Sequence, residues 1–188
     1  TGLARFGAQP VVAGTLPTAA SAWLTRRFGL GLGVAVSASH NPHPDNGIKL
    51  FGPRGYKLSD EEESAVENAL LARLAGHLEE SAAATIRGSS SEVAGHAELG
   101  LRYLEGLLET LPGDARLAGL HLVLDVAHGA ATPYARQLFE SAGARVTLLA
   151  DRPDGRKINL DCGSTHPGFL ADWMRDNGGD LGLAFDGD

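Results

Sequence analysis

The chain has 188 residues, of which 43% are hydrophobic and 21% charged, and its formal net charge at pH 7 is −7. This composition is typical of a globular protein, and the acidic balance argues against a nucleic-acid partner. We expect no membrane segment, because no apolar run approaches the roughly 18 residues that a transmembrane helix needs. We also expect no signal peptide, because no basic segment followed by an apolar one opens the chain. A single cysteine, Cys162, excludes an internal disulfide and favours a reducing, cytoplasmic location.

The first elements of the chain predict an α/β unit. Residues 11–13 favour a strand, and a helix follows with Thr18 as its N-cap and Gly29 as its stop. The apolar run Gly33–Val36 then predicts a buried parallel strand. The polar residues that come next therefore lie at the carboxyl end of a strand, where open α/β sheets bind ligands.

The middle of the chain predicts a returning strand over residues 48–51 and then a helix. Ser59 and Glu62 have the spacing of a capping box, which starts a helix that runs to about residue 75. Hydrophobic periodicity then fails between residues 79 and 96, and the small, polar composition there predicts an irregular connection near a domain boundary.

The second half of the chain alternates helices and strands. Its predicted elements are a helix over residues 99–111, a strand over 120–125, a helix with Thr132 as N-cap that ends at Gly143, a strand over 145–149, a helix from Pro167 to residue 178 and a strand over 181–185. A β-α-β order of this kind predicts a parallel sheet with right-handed crossovers. Because the first unit is incomplete and the last strand runs straight into Asp186, we expect both termini to be cut.

The loop after the strand Gly33–Val36 reads Ser37-Ala38-Ser39-His40-Asn41-Pro42, and Lys49 follows on the returning strand. Together they offer a hydroxyl, an imidazole and an ammonium group to one anionic ligand. Alternatives are an ordinary polar loop, or a serine hydrolase that uses Ser39. The chain contains no Gly-x-Ser-x-Gly elbow of the kind that many such hydrolases carry.

A second group of polar residues, Asp186-Gly187-Asp188, follows the last predicted strand. Two carboxylates placed two residues apart on a loop relieved by glycine suit one hard cation such as Mg²⁺. A solvated turn is the alternative for so short a pattern.

The full string Ser37 to Pro42, with Asp45-Asn46-Gly47-Ile48-Lys49 behind it, closely resembles the phosphoserine loop of the α-D-phosphohexomutases, which move a phosphoryl group between C1 and C6 of a sugar. Asp186-Gly187-Asp188 resembles the start of that family's metal loop, Asp-Gly-Asp-x-Asp-Arg. The resemblance implies that Ser39 is the phosphorylated serine and that Ser37 is structural. It further implies that Mg²⁺ is held by Ser39, Asp186 and Asp188, which neutralises the phosphoryl oxygens during transfer. His40 and Lys49 are placed to exchange protons with the sugar hydroxyl, and which does which stays open.

The resemblance extends over almost the whole chain and less than half of a four-domain family member. It implies an α/β fold of two consecutive α/β domains with mainly parallel, mixed sheets and helices on both faces, with residues 1–98 in domain one and 99–188 in domain two. Domain one is then truncated at its N-terminus, and domain two within the metal loop.

Residues 159–166 resemble the Asn-x-x-Cys-Gly-Ser-Thr-His string of the phosphoglucosamine mutase branch. Residues 125–130 resemble another string of that branch, but His128 replaces its usual asparagine. The resemblance implies interconversion of glucosamine 6-phosphate and glucosamine 1-phosphate through a hexosamine bisphosphate, with the fragment itself inactive. Phosphomannomutase/phosphoglucomutase activity and a non-catalytic sugar-phosphate-binding domain remain as alternatives, and the oligomeric state is not predicted.

Overall fold

The computed structural model describes residues 7–37, 39–41, 43–77, 96–112 and 117–188. Two residues of the serine-rich loop, Ala38 and Pro42, lie outside the described residues, as does most of the irregular connection predicted between residues 79 and 96. His96 already belongs to a helix.

The described elements alternate between helix and strand along most of the chain. In order they are α1 (Thr18–Arg27), β1 (Gly33–Val36), β2 (Ile48–Phe51), α2 (Asp60–His77), α3 (His96–Glu109), β3 (His121–Asp125), α4 (Thr132–Ser141), β4 (Arg145–Leu149), α5 (Pro167–Asn177) and β5 (Leu181–Ala184). This confirms the predicted α/β class. None of the described helices combines the length and apolar character needed to cross a membrane.

The second half forms a parallel sheet, as its β-α-β pattern predicts. Strand β3 lies in the centre with β4 on one side and β5 on the other, and both neighbours run parallel to it. Its side chains are buried from Leu122 to Asp125, and the apolar ones pack with Val126 and Val146 in one core. The loops after β3 and β5 therefore emerge at the same edge of the sheet.

Strand β1 was expected to be parallel and buried, and both expectations are wrong. It pairs antiparallel with β2, with Val34 opposite Leu50 and Ala35 opposite Lys49. A parallel pair would need a crossover of about a dozen residues or more, usually helical, whereas residues 37–47 form only a loop. In the described part of the chain one face of this pair is open, and Val36 is 70% exposed.

The predicted strand over residues 11–13 is also absent: these residues have no regular secondary structure. Val11 and Val12 are about half exposed. β-Branched residues favour a strand when a neighbour pairs with them, and the described β1 pairs with β2 alone.

The predicted N-terminal helix caps agree with the structure in one case and differ in two. Ser59 and Glu62 form the predicted capping box ahead of α2, since the backbone N–H of each donates to the side chain of the other, at 2.8 and 3.3 Å. Thr18 and Thr132 are not N-caps, because α1 and α4 begin at these residues and Pro17 and Ala131 precede them without a side-chain cap. The Thr18 hydroxyl is used elsewhere.

Helix α3 joins the two halves of the chain. Its residues Tyr103 and Leu99 pack against Ala20 and Leu24 of α1, and the rings of Tyr103 and Trp23 meet edge to face at 5.9 Å. The apolar stripe of α3 is therefore core packing. It fixes the serine-rich loop of the first half relative to the parallel sheet of the second.

Candidate active site

The serine-rich loop after β1 meets the acidic loop after β5. The hydroxyl of Ser39 donates a hydrogen bond of 3.0 Å to Oδ2 of Asp186, across 147 positions of sequence. Two of the residues predicted from separate motifs are thus in direct contact, at the ends of strands from different sheets.

Asp188 accepts three hydrogen bonds on a single carboxylate oxygen. The donors to Oδ2 are Ser37 at 2.6 Å, Thr18 at 3.0 Å and the ammonium group of Lys49, which also forms an ion pair with it. Burial alone would raise the pKa of Asp188, but hydrogen bonds from Lys49, Ser37 and Thr18 and the charge of Lys49 outweigh it and lower the pKa below its ordinary 3.8. Asp188 is therefore a carboxylate at neutral pH, held in one orientation.

Ser37 links Asp188 to the backbone of Ser39. While its hydroxyl donates to Asp188, it accepts a hydrogen bond of 2.9 Å from the backbone N–H of Ser39. Ser39 has a φ of 56°, a left-handed conformation that is uncommon for a residue other than glycine. The Ser37 contact helps to hold this conformation, which presents the Ser39 hydroxyl to Asp186.

The acidic loop is itself held by close backbone packing. A Cβ at Gly129 would lie 2.2 Å from the carbonyl oxygen of Gly187, and the next residue, Ala130, donates its N–H to that same oxygen at 2.8 Å. The loop after β3 therefore lies directly against the loop after β5, and position 129 has space for glycine only.

Asp125, at the end of β3, organises two further loops. Its carboxylate is fully buried and accepts hydrogen bonds from the N–H of Ala127 at 3.1 Å and of Gly163 at 2.6 Å. Buried carboxylates need such donors to offset the cost of desolvation.

Asn159 and Thr18 are site residues that the sequence reasoning missed. Asn159 donates from Nδ2 to the carbonyl oxygen of Ser39 at 3.0 Å and accepts at Oδ1 from the N–H of Gly187 at 2.9 Å. The sequence marked Asn159 as part of a branch string without a role, and Thr18 as a helix cap. No local pattern could show that both reach residues more than 100 positions away.

The two histidines named from the sequence lie differently. His40 follows Ser39 in the same turn with an exposed side chain, and no hydrogen bond among the described residues joins it to Ser39, Lys49 or Asp186. His128 has a φ of 52°, and its Nδ1 accepts from the backbone N–H of Arg152 at 3.2 Å. With no histidine hydrogen-bonded to Ser39 in the described chain, the geometry counts against a serine hydrolase.

These loops line an open cleft of about 780 Å³, whose walls include Ser37, Ser39, His128, Asp154 and Asp188. Its size is within the range of small-molecule sites. The cleft is contributed by both halves of the chain.

The oxygen atoms of Ser39, Asp186 and Asp188 are of the type that Mg²⁺ prefers as ligands. Ser39 and Asp186 already approach each other, and the Asp188 carboxylate lies on the same loop. Mg²⁺ prefers oxygen ligands and binds through one or two carboxylates plus phosphate oxygens. Among the described residues no cluster of three or more His, Cys, Asp or Glu side chains is found, so a phosphate on Ser39 would add oxygen donors that the two carboxylates lack.

Comparison with known proteins finds relatives over the whole chain. Residues 1–75 match the family model described as phosphoglucomutase/phosphomannomutase, alpha/beta/alpha domain I. The chain is therefore similar to the α-D-phosphohexomutase superfamily. It is 44% identical over 187 residues to phosphoglucosamine mutase of Cereibacter sphaeroides and 46% identical to that of Granulibacter bethesdensis, in both cases over 100% of the chain.

The same comparisons set the extent of the match. The chain spans 40% of the length of each of these two relatives. Among solved structures, a phosphoglucomutase/phosphomannomutase family protein from Burkholderia thailandensis aligns with a TM-score of 0.58 and 25% identity, over 84% of this chain and 31% of the other. The fold class predicted from the sequence is thereby confirmed.

Proposed function

We propose that the full-length protein is a phosphoglucosamine mutase that interconverts glucosamine 6-phosphate and glucosamine 1-phosphate. The observation that carries this proposal is the contact between the hydroxyl of Ser39 and the carboxylate of Asp186. Ser39 also lines a cleft large enough for a sugar phosphate. The names of the relatives at 44% and 46% identity support the choice of sugar.

In the proposed reaction, Ser39 carries the phosphoryl group and gives it to a sugar hydroxyl. The bond between phosphorus and Oγ of Ser39 breaks as a bond from phosphorus to the sugar oxygen forms. The sugar hydroxyl loses its proton to a nearby base, and the serine oxygen gains one. A second transfer, from the other end of the hexosamine bisphosphate, restores the phosphate on Ser39. Positioning and charge stabilisation dominate such transfers.

Lys49 and His40 are the proposed proton carriers. Lys49 already lies at the site through its ion pair with Asp188. His40 is adjacent to Ser39 in the chain and has an exposed side chain.

Ser39, Asp186 and Asp188 would hold Mg²⁺, the Ser39 contribution coming from its phosphate oxygens. When bound, Mg²⁺ neutralises charge on the phosphoryl oxygens. Until then Lys49 supplies the positive charge next to Asp188, which keeps the acidic loop in place.

The remaining proposals concern the setting of the site. Residues 1–98 and 99–188 form two consecutive domains, with the boundary in the first turn of α3. The protein works in the cytoplasm on hexosamine phosphates. It has no nucleic-acid partner. Residues 1–188 alone do not sustain turnover, because the relatives carry more than half of their length outside the matched region and a bisphosphate that reorients must be held at both ends.

The test is coupled turnover of glucosamine, glucose and mannose 6-phosphates by the full-length protein. We expect the highest kcat/KM with glucosamine 6-phosphate, no turnover in Ser39→Ala, and unchanged turnover in Ser141→Ala, a matched exposed serine. Preference for glucose or mannose 6-phosphate would replace the proposal with phosphoglucomutase/phosphomannomutase activity. Binding of these sugar phosphates without turnover would indicate a non-catalytic domain.

A further inference from the structure

We propose that Asn159 is a positioning residue that clamps the phosphorylated serine to the acidic loop. This inference rests on the proposed function for its catalytic consequence, but the clamp itself is a feature of the fold. Asn159 is 8% exposed and comes from the long loop between β4 and α5, which belongs to neither motif.

The side-chain amide of Asn159 closes a ring of hydrogen bonds around the reacting groups. Its Nδ2 donates to the Ser39 carbonyl and its Oδ1 accepts from the Gly187 N–H. That N–H is shared, since it also donates to Oδ1 of Asp186 at 2.6 Å, while Oδ2 of Asp186 accepts from the Ser39 hydroxyl. The ring thus sets the position of Ser39 and the orientation of the Asp186 carboxylate together.

An asparagine side chain meets both requirements of this place. It must donate on one side and accept on the other, and a carboxylate offers acceptors only. An aspartate here would direct a charged oxygen at the Ser39 carbonyl, 3.0 Å away. The backbone at Asn159 has a φ of 59°, which asparagine tolerates better than most residues.

The surroundings leave the ring little freedom to adjust. The Asn159 N–H donates to the carbonyl of Ala127 at 3.1 Å, which ties the residue to the loop after β3. A Cβ at Gly187 would lie 2.5 Å from Cγ1 of Ile158 and 2.8 Å from Nδ2 of Asn159. Three loops therefore converge on Gly187, and the Asn159 amide is the group that connects them to Ser39.

The variants that test the clamp are Asn159→Gly and Asn159→Asp in the full-length protein. Glycine removes the amide and accommodates the positive φ without strain, so it isolates the lost hydrogen bonds from a backbone effect. Aspartate keeps the shape and removes the donor. Asn177→Asp is the matched control, because Asn177 is exposed and bonds only to the carbonyl of Trp173 on its own helix among the described residues.

The first measurement is hydrogen–deuterium exchange of peptides covering residues 37–41 and 185–188. We expect exchange in both to be about fivefold faster in Asn159→Gly than in wild type, the scale of one lost hydrogen bond, and unchanged in Asn177→Asp. Exchange at the wild-type rate in both Asn159 variants would overturn the clamp, whatever the protein catalyses.

The second measurement is single-turnover transfer from phosphorylated Ser39 to glucosamine 6-phosphate, followed by intact mass after quenching. We expect the transfer rate and kcat to fall about 10- to 100-fold in both Asn159 variants, as for other residues that orient a reacting group, with KM within about threefold of wild type. If the Asn159 variants transferred phosphate at the wild-type rate while their hydrogen–deuterium exchange was faster, the catalytic role would be overturned and the structural clamp would stand. Absence of transfer in wild type would refute the proposed function instead, and exchange would still decide the clamp.

Discussion

Single side-chain groups fix the geometry of this site by accepting or donating several hydrogen bonds each. Asp188 concentrates three donors on one oxygen, and Asn159 satisfies Ser39 and Gly187 with one amide. Donors from the first residue of α1, the loop after β1 and strand β2 bond to the two aspartates of one loop, and Asn159 accepts from the glycine between them. Removing any single donor tests how far the rest compensate.

Thr18 provides the first such test. Its hydroxyl bonds to Asp188, so Thr18→Val should lower kcat of the full-length enzyme by about tenfold, which is the scale for loss of a hydrogen-bond partner of a metal ligand. Because the hydroxyl caps no helix, the midpoint of thermal unfolding should change little. Thr132→Val is the matched control: the Thr132 hydroxyl is buried without a hydrogen-bond partner among the described residues, so its removal should leave kcat unchanged and stability equal or higher. Equal kcat in both variants would contradict the role of Thr18.

The thiol of Cys162 gives a test at high pH. Burial, with the charges of Asp125 and Asp161 nearby, raises its pKa from 9.0 to about 11. The unfolded chain therefore loses this proton first, and between about pH 9 and 11 stability should fall as pH rises, by up to about 1.4 kcal/mol per pH unit from this group. Urea unfolding of wild type and Cys162→Ala across that range isolates the contribution. A difference in unfolding free energy that does not vary with pH would contradict it.

At the scale of elements, the site depends on how closely the loops after β3 and β5 approach. Gly129 contacts Gly187 with no room for a side chain. The parallel pairing of β3 with β5 therefore fixes where the loop that carries Asp186 and Asp188 lies. A small displacement of one loop moves both carboxylates.

Gly129→Ala should therefore displace the acidic loop and lower kcat about 100-fold, in line with the sensitivity of such reactions to misplacement by an ångström. Its Cβ would lie 2.2 Å from a backbone oxygen, whereas a Cβ at Gly168, in α5, meets nothing within 4 Å. Gly168→Ala should keep full activity and an equal or higher unfolding midpoint, because alanine is the better helix former. Full activity in Gly129→Ala would show that the loops tolerate separation.

Sequence patterns predicted most of the helices and strands. They did not predict which of these elements contact one another. The capping box of Ser59 and the apolar run from Leu122 to Leu124 are local signals, and both appear as predicted. The pairing of β1 with β2 and the absence of a strand at residues 11–13 depend on neighbours that a local pattern does not contain. Ser39 and Asp186 were found from motifs, while Thr18 and Asn159 act through contacts set by the tertiary fold.

At the scale of the molecule, the candidate site lies between the two halves of the chain. Helix α3 packs on α1 through Tyr103 and Leu99, and a Cβ at its Gly100 would lie 2.5 Å from the ring of Tyr134 in α4. It therefore contacts both halves. This packing supports the shared cleft in which the serine-rich loop faces the acidic loop.

Ser39 is the residue proposed to carry and return the phosphoryl group. Phosphopeptide mapping of the full-length protein, as purified and after incubation with glucose 1,6-bisphosphate, tests this role in wild type, Ser39→Ala and Ser37→Ala. We expect phosphate on Ser39 in wild type and in Ser37→Ala, its loss on addition of excess glucosamine 6-phosphate, and none in Ser39→Ala. Phosphate on Ser37 that persists in Ser39→Ala would contradict this role.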